Sequence, residues 1–297
     1  MQIVQTNKRI LFSNVLFATD LSHLSKIPLE YAVALARQYG AKVFVAHAVE
    51  PESHFSSPLE TQPENRDPLR LDAEWHLADL VRQVSVGNIS HEEFVERGEV
   101  WDVLHSIIQK RNVDLIVAGT HGRQGAHKVL IGSKAENLYR RANCPVLTIG
   151  PHVPPPETEG WRIKRILFPT DGSESSLSAL PYALSLAEEN QATLIFLQLV
   201  PLMPLPEFRE ADEASTREAL RSLVPAEADA WCKPEFVARF GFPAEGILRL
   251  AAERAVDFFV MGVKKSSFDN AIASHLPWAI ASEVVGNARC PVLTVRG

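Results

Sequence analysis

Asn14-Val-Leu-Phe-Ala-Thr-Asp20 returns later in the chain as Arg165-Ile-Leu-Phe-Pro-Thr-Asp171, and this pair of stretches decides the fold. Each is a short apolar run closed by Thr-Asp, the pattern of a strand buried on both faces. Working outward, two further pairs follow in the same order. Asp114-Leu-Ile-Val-Ala-Gly119 returns as Asp257-Phe-Phe-Val-Met-Gly262, and Cys144-Pro-Val-Leu-Thr148 as Cys290-Pro-Val-Leu-Thr294. Three matches in one order mark a duplication. Between the copies, Pro151-His-Val-Pro-Pro-Pro-Glu-Thr-Glu-Gly160 has four prolines and few apolar residues, and reads as a stiff, extended linker. The expected organisation is a first domain over 1–150, a linker over 151–161 and a second domain over 162–297.

Within the first copy, strands and helices alternate. Asn14–Thr19 suits a buried strand, and Ser22 is placed to cap a helix carrying Leu24, Ile27, Tyr31 and Leu35, with Gly40 as its stop. Lys42–Val49 reads as a strand, Leu69–Val84 as a helix, Ser90–Arg97 as a strand and Val100–Gln109 as a helix. Asp114–Ala118 is a strand, Ser133–Ala142 a helix and Pro145–Ile149 the last strand. The second copy repeats this order. Parallel neighbours need crossover helices, so the pattern predicts an α/β fold of two tandem, doubly wound, Rossmann-like domains. Each holds a five-stranded, mainly parallel sheet flanked by helices. Ligands in such folds sit at the carboxyl ends of the strands, near the switch in strand order.

The 297 residues carry a net charge of −6, with 46% hydrophobic and 22% charged residues. An acidic balance argues against a general nucleic-acid or anionic-membrane binder. No run approaches the ~20 apolar residues that span a bilayer. The apolar stretch after Lys8 and Arg9 is broken by Asp20, too early for a signal sequence. Cys144, Cys232 and Cys290 form no disulfide framework and no zinc spacing. The expectation is a soluble, cytoplasmic protein without a metal cluster or catalytic residue of its own.

The chemistry sits after the fourth strand, in Gly119-Thr-His-Gly122-Arg-Gln-Gly-Ala-His-Lys-Val-Leu-Ile-Gly132-Ser133. The spacing is Gly-x2-Gly-x9-Gly-Ser. Glycine lets a ligand approach the backbone, and Gly132-Ser133 opens a helix whose free N–H groups favour an anion. His121, Arg123, His127, Lys128 and Lys134 make this loop basic inside an acidic chain. Other nucleotide and hydrolase signatures are missing: no Gly-x4-Gly-Lys-Ser/Thr, no Gly-x-Gly-x2-Gly after a strand and no Gly-x-Ser-x-Gly.

On this loop, the Thr-Asp end of the first strand and the Cys-Pro-Val-Leu end of each copy, the chain resembles the universal stress protein family in its tandem form. The resemblance covers nearly all of both copies. It implies an adenine nucleotide alpha hydrolase-like fold that binds ATP, usually with Mg2+ or Mn2+. Asp20 would accept hydrogen bonds from the ribose or adenine side, and Ala48 would meet adenine through its backbone. Gly119 and Gly122 would let the sugar and phosphates lie against the main chain, and Gly132, Ser133 and Lys134 would hold the phosphates. The family's usual Gly-Ser after the first-strand Asp is Leu21-Ser22 here, whereas Asp171-Gly172-Ser173 keeps it. The resemblance also implies an intramolecular pseudo-dimer through the last strands, Pro145–Ile149 beside Pro291–Val295, which covers edges open to aggregation. A further homodimer is compatible with that pairing.

The second copy departs from the pattern. Gly262 stays, Lys265 replaces the second glycine, and His275-Leu276 or, with a shifted register, Trp278-Ala279 stands where Gly-Ser belongs. ATP is therefore expected in the first copy only. Plainer readings stand beside these: Asp20 as a helix cap, His47 as a core histidine, and Cys144 and Cys290 as packing residues. Three functions compete: a nucleotide-binding regulatory or stress-response module acting on an unknown protein partner, a slow ATP hydrolase, and a nucleotide-free interaction scaffold.

Overall fold

The computed structural model describes residues 9–50, 67–84, 86, 89–120, 136, 138, 140–157, 160–200, 209–264 and 275–297, with the backbone alone at 209, 229 and 275–278. The first copy contributes β1 (Asn14–Ala18), α1 (Lys26–Tyr39), β2 (Lys42–Val49), α2 (Pro68–Gln83), β3 (His91–Arg97), α3 (Val100–Arg111), β4 (Leu115–Gly119) and β5 (Val146–Ile149). The second contributes β6 (Arg165–Pro169), α4 (Glu174–Leu177), α5 (Leu180–Asn190), β7 (Thr193–Val200), α6 (Arg209–Arg221), β8 (Lys233–Phe240), α7 (Pro243–Glu253), β9 (Phe258–Val263), α8 (His275–Asn287) and β10 (Val292–Arg296). Of the helix expected over Ser133–Ala142, residues 136, 138 and 140–142 are described; the first four are helical, and Ala142 lies past the helix.

The ends of these elements follow from local chemistry. Gly40, at φ 65°, closes α1 and donates its N–H to Ala36 O, the left-handed cap that glycine takes without penalty. Asp67 accepts from Leu69 N and Pro68 occupies the first turn, so α2 starts one residue before the expected boundary. Ser22 corrects the expectation of a capped helix. It stands at the N-cap position of a 3-10 turn, His23–Ser25, that precedes α1, and its side chain makes no capping bond. In that turn Ser25 N goes to the Ser22 carbonyl at 3.0 Å instead.

All ten strands form one sheet in the order β3-β2-β1-β4-β5-β10-β9-β6-β7-β8. Each half is the same five-stranded parallel unit. Its strand order has β1 between β2 and β4, as crossovers to both sides require. The halves meet where β5 and β10 run antiparallel, with Leu147 opposite Leu293. Thr148 Oγ1 donates to Val292 O at 3.1 Å, and Thr294 Oγ1 to Val146 O at 3.2 Å, one bond mirroring the other. The two outer strands carry His91, Glu92, Glu93 and Arg97 on β3 and Lys233, Pro234, Glu235 and Arg239 on β8, charges and a proline that discourage further pairing.

Side chains alternate across the sheet and feed two apolar layers, one on each face. Val15, Phe17, Ile166 and Phe168 point into one; Leu16 and Leu167 point into the other. Both layers run through both copies. On the first face α1 and α5 lie side by side: Tyr39 Oη donates to Glu189 Oε2 at 2.6 Å, and Gln38 Nε2 to Asn190 Oδ1 at 3.1 Å.

The segment read as a stiff, extended linker is also packed against the copies. Val153 is buried, Tyr31 Oη donates to Pro154 O at 3.0 Å, and Trp161 meets Tyr31 edge-on with ring centroids 5.4 Å apart. Its prolines hide one buried valine and lead into an aromatic wedge between the copies.

Candidate functional site

Because β2, β1 and β4 are adjacent and parallel, their carboxyl ends open on one side of the sheet. The chain leaves β1 through Thr19-Asp20-Leu21-Ser22. Thr19 N extends the ladder to Ala46 O at 3.0 Å. Leu21 N donates to Thr19 Oγ1 at 3.0 Å, and Ser22 N to Asp20 Oδ1 at 3.0 Å. Ser25 Oγ donates to Asp20 Oδ1 at 3.2 Å. Asp20 Oδ1 thus fastens this turn, but Asp20 caps no helix: the N-cap positions of the 3-10 turn and of α1 are Ser22 and Ser25.

The second copy repeats the two backbone-to-side-chain bonds of this turn. Gly172 N donates to Thr170 Oγ1 at 3.0 Å and Ser173 N to Asp171 Oδ1 at 2.9 Å. Burial raises the Asp171 carboxyl, but the Ser173 and Ser176 hydroxyls outweigh it and hold the group below the ordinary carboxylate value. The turn demands a left-handed residue, Gly172 at φ 77° and Leu21 at φ 59°. The first copy therefore carries strain at its strand end that the second avoids. Nothing lies within 4 Å of where a Gly172 Cβ would stand. Gly172→Leu is accordingly expected to lower stability by about 1–2 kcal/mol, the backbone term alone, measurable as a shift in the urea midpoint at unchanged slope.

One difference between the turns bears on function. In the second copy Ser173 Oγ accepts from Ser176 N at 3.2 Å. In the first, the Ser22 hydroxyl oxygen is buried and makes no hydrogen bond. A buried hydroxyl without a partner carries a desolvation penalty, and this one stands next to Asp20 at the open end of the sheet. Nothing in the sequence around Ser22 signals this, because the sequence reads as an ordinary N-cap.

His47, on β2, hydrogen-bonds through Nδ1 to Thr19 O at 2.8 Å. A carbonyl can only accept, so Nδ1 carries the proton and, in the neutral ring, Nε2 is left an acceptor. It is half-buried, as a satisfied histidine at a strand end would be. Ala48 follows it, half-buried, against the second apolar layer. Gly119 ends β4, opposite Ile149 of β5, and the next residue, Thr120, is buried with its N–H on Ile149 O at 3.1 Å.

Asp20, Ala48 and Gly119 are thus brought together on three neighbouring strand ends. Gly122, Gly132, Ser133 and Lys134 lie outside the described residues, as do His121, Arg123, His127, Lys128 and Lys265. In the second copy α8 is helical over His275–Asn287, so both His275-Leu276 and Trp278-Ala279, the two positions expected for Gly-Ser, lie in helix. Gly262, the counterpart of Gly119, has a packing role. A Cβ there would stand 2.3 Å from Ser175 O and 2.4 Å from Ser176 O. Among the described residues the cysteines form no disulfide. Burial pushes Cys144 up to about 12 and Cys290 further still, with the Asp257 charge adding to the latter, which fits packing residues.

Among the described residues no helix is long and apolar enough to cross a membrane. The family model for the universal stress protein family matches residues 11–150 and 162–296. A universal stress protein of Methanocaldococcus jannaschii is 28% identical over 145 residues, covering 48% of this chain and 85% of that protein. Universal stress protein A homolog 1 of Coxiella burnetii is 31% identical over 143 residues, covering 46% of this chain and 96% of that protein. Among solved structures, a universal stress protein from Archaeoglobus fulgidus superposes over 95% of this chain and 98% of its own, with a TM-score of 0.67 at 18% identity. That likeness extends the shared fold to both halves and their joint sheet. With both copies matched and the fold common to the full length, the chain belongs to the universal stress protein family, in its tandem two-domain form.

Proposed function

We propose that this protein binds an adenine nucleotide, ATP with Mg2+ or Mn2+, in its first copy, and that occupancy biases a surface read by a protein partner in the cytoplasm. The observation that carries this reading is the buried, unpartnered Ser22 hydroxyl beside Asp20, found in the first copy and satisfied internally in the second. A ligand oxygen accepting from Ser22 would remove that penalty. Asp20 and Ala48 would hold the ribose and base, and Gly119 and Gly122 would admit the sugar and phosphates. Gly132, Ser133 and Lys134 would take the phosphates. A divalent ion would supply positive charge against the phosphates. Binding without turnover suits a site whose acid, Asp20, already spends one oxygen on its own turn.

The test is Gly132→Trp, which imitates the bulk of the second copy. Calorimetry with Mg-ATP is expected to show binding to the wild-type chain and a loss of roughly 100-fold or more in the variant, since backbone approach to the phosphates is blocked. A folded variant that keeps its affinity would defeat the phosphate-loop assignment.

A further inference from the structure

A groove of about 1220 Å³ opens where α1 and α5 lie side by side. Arg9 and Leu11 lead into β1, Arg162 leads into β6, and Arg37, Gln38 and Tyr39 end α1; all of them line it. The groove therefore lies at the amino-terminal ends of the strands, away from Asp20, Ala48 and Gly119 at their carboxyl ends.

Its walls are held from both copies. Glu189 of α5, its side chain 5% exposed, accepts from Tyr39 Oη at 2.6 Å, Ser185 Oγ at 3.1 Å and Arg9 Nε at 3.2 Å. The last bond fixes Arg9 through one of its five N–H groups. Asn190, also buried, accepts from Gln38 Nε2 at 3.1 Å and, at 3.4 Å, from the N–H of Ile163, the residue after Arg162. Trp161 is wedged between Tyr31 and Phe258, with ring centroids 5.4 and 6.4 Å away. Both sides are thus preformed, which lowers the ordering cost of binding.

The groove is basic in an acidic chain. Among the described residues, Arg9, Arg37 and Arg162 line it against Glu30, Glu157 and Glu189. Glu30 and Glu157 also face Lys26 at 4.0 Å and Lys164 at 3.8 Å. Five cations stand against three carboxylates, where the whole chain carries −6. The arginines are not part of the duplication. At the offset that sets Asp171 against Asp20, Arg9 matches Gly160, Arg37 matches Glu188 and Arg162 matches Leu11. Val33, Val84 and Trp161 add an apolar lining. The volume exceeds the ~300–1,000 Å³ of small-molecule sites, which favours an extended chain over a compact ligand.

We propose that this groove takes an acidic peptide segment of a partner protein, with its carboxylates on the arginines and an apolar side chain against Trp161. The proposal rests on the proposed function for the existence of a partner and not for the nucleotide.

The experiment titrates the full chain, by fluorescence anisotropy, into fluorescein-labelled Asp-Glu-Leu-Phe-Glu-Asp and into a Lys-Lys-Leu-Phe-Lys-Lys control. The acidic peptide is expected to bind, more weakly as salt rises, and the basic one is not. Arg162→Glu, at an exposed position, is expected to weaken binding roughly tenfold, with Mg-ATP binding at the other end of the sheet as in wild type. No binding of the acidic peptide, equal binding of both peptides, or unchanged affinity in folded Arg162→Glu overturns the proposal. Full displacement of the peptide by citrate at matched ionic strength overturns it too, by showing a small-anion site. If Arg162→Glu fails to fold, Arg162→Gln takes its place, and a loss of affinity supports the proposal while unchanged affinity overturns it. Peptide binding by a wild-type chain that takes no Mg-ATP overturns the nucleotide reading alone.

Discussion

Gly262→Ala is expected to destabilise the protein by about 3 kcal/mol or more, among the larger effects of any single methyl addition. The new Cβ would stand 2.3 Å from Ser175 O, 2.4 Å from Ser176 O and 2.6 Å from Ser176 Cα. These are backbone atoms in α4, so no side chain can swing aside. Ser176 is also tied to Thr170 by a 2.8 Å hydroxyl contact, and Ser176 N to Ser173 Oγ. Moving α4 away would break the turn that leaves β6. A guanidinium denaturation curve reads the loss directly. A variant within 1 kcal/mol of wild type, as about the smallest overpacking penalty would give, would mean that the turn yields. The packing role assigned to this glycine would then be wrong.

Leu147→Ala is expected to cost about 2–5 kcal/mol, the range for a large-to-small change in a sealed core. Leu147 is fully buried, opposite Leu293 on the antiparallel partner and level with Val117 on β4. It sits at the joint between the copies, where one sheet and two apolar layers pass through both halves. The loss should therefore move a single unfolding transition, with both halves reporting it together. Two separate transitions, only one of them shifted, would show that the halves fold independently despite the shared sheet.

The strand framework was readable because buried parallel strands write themselves as continuous apolar runs, and the repeat supplied each run twice. Lys42–Val49 and its neighbours fell within a residue or two of their observed ends for that reason. The pairing of β5 with β10 was anticipated from family resemblance, not from any residue in Val146–Ile149 or Val292–Arg296, and its antiparallel sense came only with the structure. What the sequence hid was contact between distant residues. Val153 looked like one apolar residue in a proline-rich tether, and only its burial shows the tether is packed. Leu21 stands in the sequence only as a departure from the family's glycine, and the turn shows what that departure entails, a leucine at φ 59°. Ser22 misled for a related reason: a serine at an N-cap ordinarily caps, and here the 3-10 turn takes its carbonyl and leaves its hydroxyl buried.

The central claim is that one copy holds an adenine nucleotide and the other does not. The most direct test is to denature the purified chain, separate the extract by ion-exchange chromatography, and count adenine nucleotide against protein. The account predicts about one equivalent per chain, as a single tight site saturated during preparation would give. No nucleotide, followed by no heat on titration with Mg-ATP, would contradict it; about two equivalents would show that the altered loop does not close the second copy.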